Sequence, residues 1–115
     1  MHELGVVFQV IKTVEEVAEE NALTQIGSVT LEIGEVSGII ESYLQNCWKW
    51  ATVKRSEILK DARLIVERIP AVTYCEDCEK TYGTVAHGKI CPYCDSERTY
   101  LVQGNEFNIK EIEGC

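Results

Sequence analysis

Four cysteines carry the clearest chemistry in this 115-residue chain. In the stretch YCEDCEKTYGTVAHGKICPYCDS, Cys75 and Cys78 are two residues apart, as are Cys91 and Cys94, with twelve residues between the pairs. Each C-x2-C folds as a tight knuckle that presents two thiolates to one ion, and two knuckles complete a tetrahedron. Closed tetrahedral thiolate sites suit zinc, or iron in the rubredoxin manner. Four protein ligands leave no open position for water or substrate, so such a site is structural. The alternatives are a pair of disulfides or a C-x2-C redox site. Glu76, Asp77 and Glu79 would raise the thiol pKa values, the wrong direction for a reactive thiol.

The second position of chemical interest is His2. The Met1 α-amine, the His2 amide nitrogen and the imidazole Nδ1 can chelate one metal through a five-membered and a six-membered ring. Ni(II) and Cu(II) favour square-planar nitrogen donors and can displace an amide proton held on both sides; zinc has no such preference. A fourth donor would be Glu3, through backbone or carboxylate, or a group from elsewhere. The site requires a free N-terminus and loss of protons from both amine and imidazole. The plainer reading is a solvated histidine at a frayed chain end.

Helical and strand patterns supply the elements that must position these groups. Leu4, Val7, Phe8, Ile11, Val14 and Ala18 recur at helical spacing, which predicts an amphipathic helix over 4–21. SVTLEIGEV alternates, with Val29, Leu31 and Ile33 on one face, and reads as a strand over 28–36. Ser37 is an N-cap candidate for a second helix through about residue 52, with Ile40, Tyr43, Leu44, Cys47, Trp48 and Ala51 facing the core. Trp50 falls off that face, and Cys47 reads as a buried small hydrophobe. ARLIVERI at 62–69, ending at Pro70, and FNIKEIE at 107–113 read as strands.

This order predicts an α/β (α+β two-layer) fold: a small mixed three-stranded sheet with two helices. A zinc-ribbon-like set of knuckles and hairpins is inserted before the last strand. The expected domains are 1–72 with 102–115, and a four-cysteine domain at 73–101. His87 is expected in an exposed loop between the knuckles, and Cys115 as an exposed free thiol.

Charge narrows the function classes. The formal net charge is −8 and 45% of residues are hydrophobic, which allows a real core but opposes sequence-independent nucleic-acid binding and docking on anionic membranes. Within the cysteine region the acids Glu76, Asp77, Glu79, Asp95 and Glu97 outnumber Lys80, Lys89 and Arg98. Charges interrupt every apolar run before about 18 residues, so no membrane span is expected. The first residues lack the basic and apolar regions of a signal peptide, and a cytoplasmic protein is expected. In that reducing compartment, six cysteines would bind metal or stay free rather than pair. No Gly-rich phosphate loop is present, so no nucleotide hydrolysis is expected of this chain.

MHEL at the start, IGEVSGI at 33–39, CEDC, CPYCDS and then GNEF together resemble the HypA/HybF hydrogenase nickel-incorporation proteins, nearly end to end. The resemblance implies a nickel-binding α/β domain carrying a separate zinc domain, and a metallochaperone rather than an enzyme. It implies delivery of Ni(II) to the large-subunit precursor of [NiFe] hydrogenase together with a HypB-type GTPase, some members also serving urease maturation. His2 would be the nickel ligand, with the Met1 amine and Glu3 as neighbours, and Cys75, Cys78, Cys91 and Cys94 would hold structural zinc. A monomer or weak homodimer is expected. Glu79 stands where the family commonly has Gly, so that turn is expected to differ slightly. The competing readings are a zinc-ribbon adaptor in a protein or nucleic-acid complex, for which His2 is irrelevant, and a rubredoxin-type electron carrier.

Overall fold

The computed structural model describes residues 3–115. The elements run α1 (Glu3–Glu20), β1 (Ile26–Gly34), α2 (Glu41–Arg55), β2 (Arg63–Ile69), β3 (Val72–Cys75), β4 (Thr81–Gly83), α3 (Thr84–His87), β5 (Thr99–Gln103) and β6 (Phe107–Gly114). They form two three-stranded sheets, in strand orders β2-β1-β6 and β4-β3-β5. The chain divides into two compact units. One comprises the residues up to Glu32 with Gly38–Glu67 and Asn108–Cys115; the other comprises Ile33–Ser37 with Arg68–Phe107.

In the first unit, α1 buries Val7, Val10, Ile11, Val14 and Ala18 and packs against α2. Leu4, expected on that face, is 38% exposed, because the core stripe begins one turn later. From β1, Val29 and Leu31 are buried as expected, but so are Ser28 and Thr30 between them; the strand is covered on both faces, not the one that the alternation predicts. β6 runs antiparallel to β1: Cys115 N–H donates to Gln25 O at 2.9 Å, and Gly27 faces the Glu113 carbonyl.

The second helix differs from its sequence reading. It begins at Glu41 with Ile40 as the cap residue, not at Ser37. Gly38 takes φ +83, a left-handed conformation that an α-helix cannot pass through. The core stripe is Leu44, Trp48, Ala51 and Thr52. Ile40 and Tyr43, expected in it, are 50% and 57% exposed, and Cys47 is half-buried. Tyr43 lies about 100° round the helix from Leu44, so only one of the two apolar stripes can face α1. The buried indole is satisfied, Trp48 Nε1 donating to Ala62 O at 2.9 Å.

In the second unit, β3 pairs antiparallel with both β4 and β5. Gly34 belongs to this unit and could not be another residue: a Cβ there would lie 2.0 Å from the Gly104 carbonyl oxygen. Gly104, at φ +122, in turn sits against Ala71. Glu35 closes the segment, its carboxylate accepting Ala71 N–H at 2.8 Å.

Candidate metal centre

The two C-x2-C segments fold as matching knuckles. After the first cysteine of each, the chain turns so that Glu79 N–H donates to Cys75 O and Asp95 N–H to Cys91 O, both at 2.9 Å. Cys75 N–H reaches Lys80 O and Cys91 N–H reaches Ser96 O. Both turns close through a left-handed residue, Glu79 and Asp95, each at φ 59. Glu79 thus takes, without glycine, the same left-handed backbone as Asp95 in the second knuckle. Asp visits this region readily; a longer side chain does so at a cost.

The knuckles face each other and bring all four sulfurs within 4.8 Å of one another. Cys75 Sγ lies 3.6 Å from Cys94 Sγ, and Cys78 Sγ lies 3.6 Å from Cys91 Sγ. A disulfide needs about 2.05 Å, and all six cysteines are free. A tetrahedral ion bonded to four sulfurs at about 2.3 Å sets them about 3.8 Å apart. The donor set, its spacing and its softness fit zinc.

Cys75 and Cys91 are fully buried, packed with Tyr82 and the half-buried Cys78. Tyr82 is fixed by its hydroxyl, which donates to Gly88 O at 2.8 Å. Tyr93 N–H points at Cys91 Sγ at 3.4 Å. Outside the sulfurs, Asp77 of the first knuckle meets Ser96 and Arg98 beyond the second, with Arg98 Nη1 at 2.7 Å. Arg98 also reaches Glu76 at 3.3 Å. These groups are exposed, so the clasp contributes geometry more than stability.

The thiols are not equivalent. The backbone N–H of Cys78, helped by that of Asp77, draws Cys75 down to about 7 against the opposing effect of burial. The nearby acids were expected to raise this thiol; amide donors aimed at the sulfur set the opposite direction. At Cys94 the Ser96 N–H favours the thiolate. Desolvation and the thiols of Cys75, Cys91 and Cys78 outweigh it and push Cys94 up to about 12. Burial raises Cys78. The four thiols titrate together rather than one by one, and an ion bound among them would displace their protons.

The other candidates do not join this cluster. His87 ends the single-turn α3, exposed, with its ring edge-on to Tyr82 at 5.9 Å; a loop was expected there. Cys115 is exposed. His2 lies outside the described residues. Glu3 heads α1, and its Oε2 accepts Ile40 N–H at 3.2 Å, at the start of α2. Sequence reasoning missed this contact, the Tyr82 cover and the Asp77–Arg98 clasp. Only the clasp left a signal, an acid in one knuckle and a base after the other.

Two small units, one of which brings four cysteine sulfurs together for a single ion, define a metal-binding protein. Comparison with known proteins specifies it further. The family model described as "Hydrogenase/urease nickel incorporation, metallochaperone, hypA" matches residues 1–114. The hydrogenase maturation factor HybF of Klebsiella pneumoniae is 31% identical over 114 residues, covering 99% of both chains. HypA of Dehalococcoides mccartyi is 34% identical over 113 residues, covering 98% of this chain and 93% of its own. The solution structure of the Ni metallochaperone HypA from Helicobacter pylori superposes with a TM-score of 0.71 at 30% identity, covering 99% of this chain and 97% of that one. The chain belongs to the HypA/HybF family of nickel metallochaperones that act in hydrogenase maturation. Among the described residues no helix is long and apolar enough to cross a membrane.

Proposed function

We propose that this protein carries Ni(II) at its N-terminus and hands it to the large-subunit precursor of [NiFe] hydrogenase. The observation that supports this most directly is the family match, which begins at Met1 and includes His2. The Met1 amine, the His2 amide nitrogen and the His2 imidazole form the planar donor set, with Glu3 beside them. Few protein donors at a chain end allow ligand exchange, so an acceptor that chelates more strongly takes the ion. Cys75, Cys78, Cys91 and Cys94 hold structural zinc in a domain over 73–101, and the nickel domain comprises 1–72 and 102–115. Bound there, zinc would crosslink the two knuckles. The chain has no phosphate loop, so a HypB-type GTPase supplies the nucleotide chemistry, and urease maturation proteins are further partners. Exchange of this kind needs no catalysis, and the setting is cytoplasmic.

The test is a calorimetric and visible-absorption nickel titration of the zinc-loaded, untagged chain, beside His2→Ala and a variant with one extra residue before Met1. One site weakened at least tenfold in both variants is the expected result. Equal binding in all three, or none in any, refutes the terminal site and favours a zinc-ribbon adaptor.

A further inference from the structure

The start of α2 brings no side-chain cap of its own. An α-helix leaves its first N–H groups without partners inside the helix. A Ser, Thr, Asp or Asn at the cap position satisfies one of them, and an acid three residues later can reach back to the cap N–H. Here the cap residue is Ile40, at φ −94 and ψ 113, with no side-chain cap bond. The place three residues on is held by Tyr43, an exposed tyrosine rather than an acid.

The acid comes from another helix. Glu3 Oε2 accepts the Ile40 N–H at 3.2 Å, from 37 positions upstream. It does from α1 what a capping-box acid does from within its own helix. A carboxylate in this place makes a charge-assisted bond and lies at the positive end of the α2 dipole. Both residues belong to the same compact unit, in which α1 packs on α2 and buries Val7 and Val10 from its next turns. Glu3 is thus held at two points, through its backbone in α1 and through its carboxylate on α2.

Glu3 follows His2 directly, so these two anchors fix the point from which the nickel-carrying end of the chain leaves the fold. The amine, amide and imidazole donors proposed for nickel all belong to the two preceding residues. A carboxylate drawn onto the ion would have to loosen its hold on the Ile40 N–H and leave α2 without its borrowed cap. A carboxylate that stays on α2 keeps the helix capped. It also leaves one position of a planar ion to a ligand of the acceptor, as delivery by exchange requires.

We propose that the Glu3 side chain is a positioning group and not a nickel donor: it ties the nickel-carrying end of the chain to the start of α2 and stays on the Ile40 N–H when nickel is bound. The inference rests on the terminal nickel site proposed above. It decides between the two uses of the Glu3 carboxylate, on the ion or on the fold, in favour of the fold.

The test is hydrogen exchange at the Ile40 amide, read by mass spectrometry on the zinc-loaded, untagged chain with and without Ni(II), for the parent, Glu3→Gln and Glu3→Ala. Without nickel, Glu3→Ala should speed exchange at Ile40 about threefold or more, and Glu3→Gln, whose amide oxygen still accepts, clearly less. Saturating nickel should leave Ile40 exchange in the parent no faster. In nickel titrations Glu3→Gln should bind within about twofold of the parent, and Glu3→Ala should bind about threefold or more weakly. Faster Ile40 exchange on nickel loading of the parent overturns the proposal, because the carboxylate has then moved to the metal. So does nickel binding weakened equally by Glu3→Gln and Glu3→Ala, or Ile40 exchange indifferent to Glu3→Ala. The comparison of the parent with and without nickel involves no substitution, so a misfolded variant cannot decide the outcome. If His2→Ala leaves nickel affinity unaltered, the terminal site itself fails, and the metal-free comparison still decides whether Glu3 is the tether.

Discussion

Replacing Glu79 with glycine should tighten the four-cysteine centre. Glu79 sits at φ 59, where a residue with a Cβ costs about 1–2 kcal/mol. Glycine removes that cost but loses about 0.5–1 kcal/mol through its freer unfolded chain. The net gain is about 0.5–1 kcal/mol. In a unit that folds around its metal, this appears as a zinc dissociation constant lowered about two- to fivefold. The knuckle hydrogen bond from residue 79 N–H to Cys75 O survives the change. Two controls isolate the backbone effect. Glu79→Ala removes the carboxylate but keeps the Cβ, so it should show little of the gain. Asp95→Gly changes the matching residue of the second knuckle, also at φ 59, where Asp is already tolerated, and should be close to neutral. The assay is competition for zinc with a chromophoric chelator near neutral pH. If Glu79→Ala tightens zinc as much as Glu79→Gly, the effect is charge and the conformational argument fails; if Glu79→Gly weakens zinc, the turn is not strained.

Other perturbations test the packing. Gly34→Ala would set a Cβ 2.0 Å from the Gly104 carbonyl oxygen, and backbone cannot step aside; a loss of about 3 kcal/mol or more, read in thermal melts and zinc content, is expected. Trp48→Phe strands the Ala62 carbonyl that the indole now satisfies at 2.9 Å and should cost about 1–2 kcal/mol in urea unfolding at unchanged slope. The Lys110–Glu67 pair, 2.7 Å apart, raises the Lys110 pKa through its hydrogen bond to Glu67. Its contribution is therefore complete below the ordinary lysine value of about 10.4 and is lost as pH rises through the raised value. The stability difference between the parent and Lys110→Met should be present at neutrality, where both partners are charged, and fade as pH rises through that alkaline range.

The legible and illegible parts of this chain divide along physical lines. The cysteine spacing was readable because a knuckle is a local object: two residues between thiols suffice to set two donors on one ion, whatever surrounds them. Val29 and Leu31 were readable because apolar residues alternate along β1, although the strand is covered on both faces and the small polar Ser28 and Thr30 between them are buried as well. The second helix was harder. Ser37 has the side chain of a cap, but Gly38 takes φ +83 and holds the helix off until Glu41. Its two apolar stripes, Leu44-Trp48-Ala51 and Tyr43-Cys47-Trp50, have equal periodicity, and only the packing against α1 chooses the first. Glu3 illustrates a contact with no sequence signature, because its carboxylate reaches a backbone amide 37 residues away.

The sequence reading named β3, β4, α3 and β5 only as unspecified knuckles and hairpins, and β5 shows why. Periodicity records burial, and a strand exposed on both faces has no burial to record. TYLVQ carries strand-favouring residues but no alternation, so a pattern search passes over it while the ladder to β3 still forms. The same absence of pattern is informative once the fold is known. An apolar strand that buries neither face has not been selected by the core of its own unit. Charged residues would hold it in solution equally well, as they do on β2 and β6, and the ladder to β3 does not require Tyr100, Leu101 or Val102 to be apolar. Tyr100 nevertheless has a partner within the unit, its ring packing 5.4 Å from that of Tyr74 directly across the ladder, the kind of cross-strand pair that steadies a sheet without burying it.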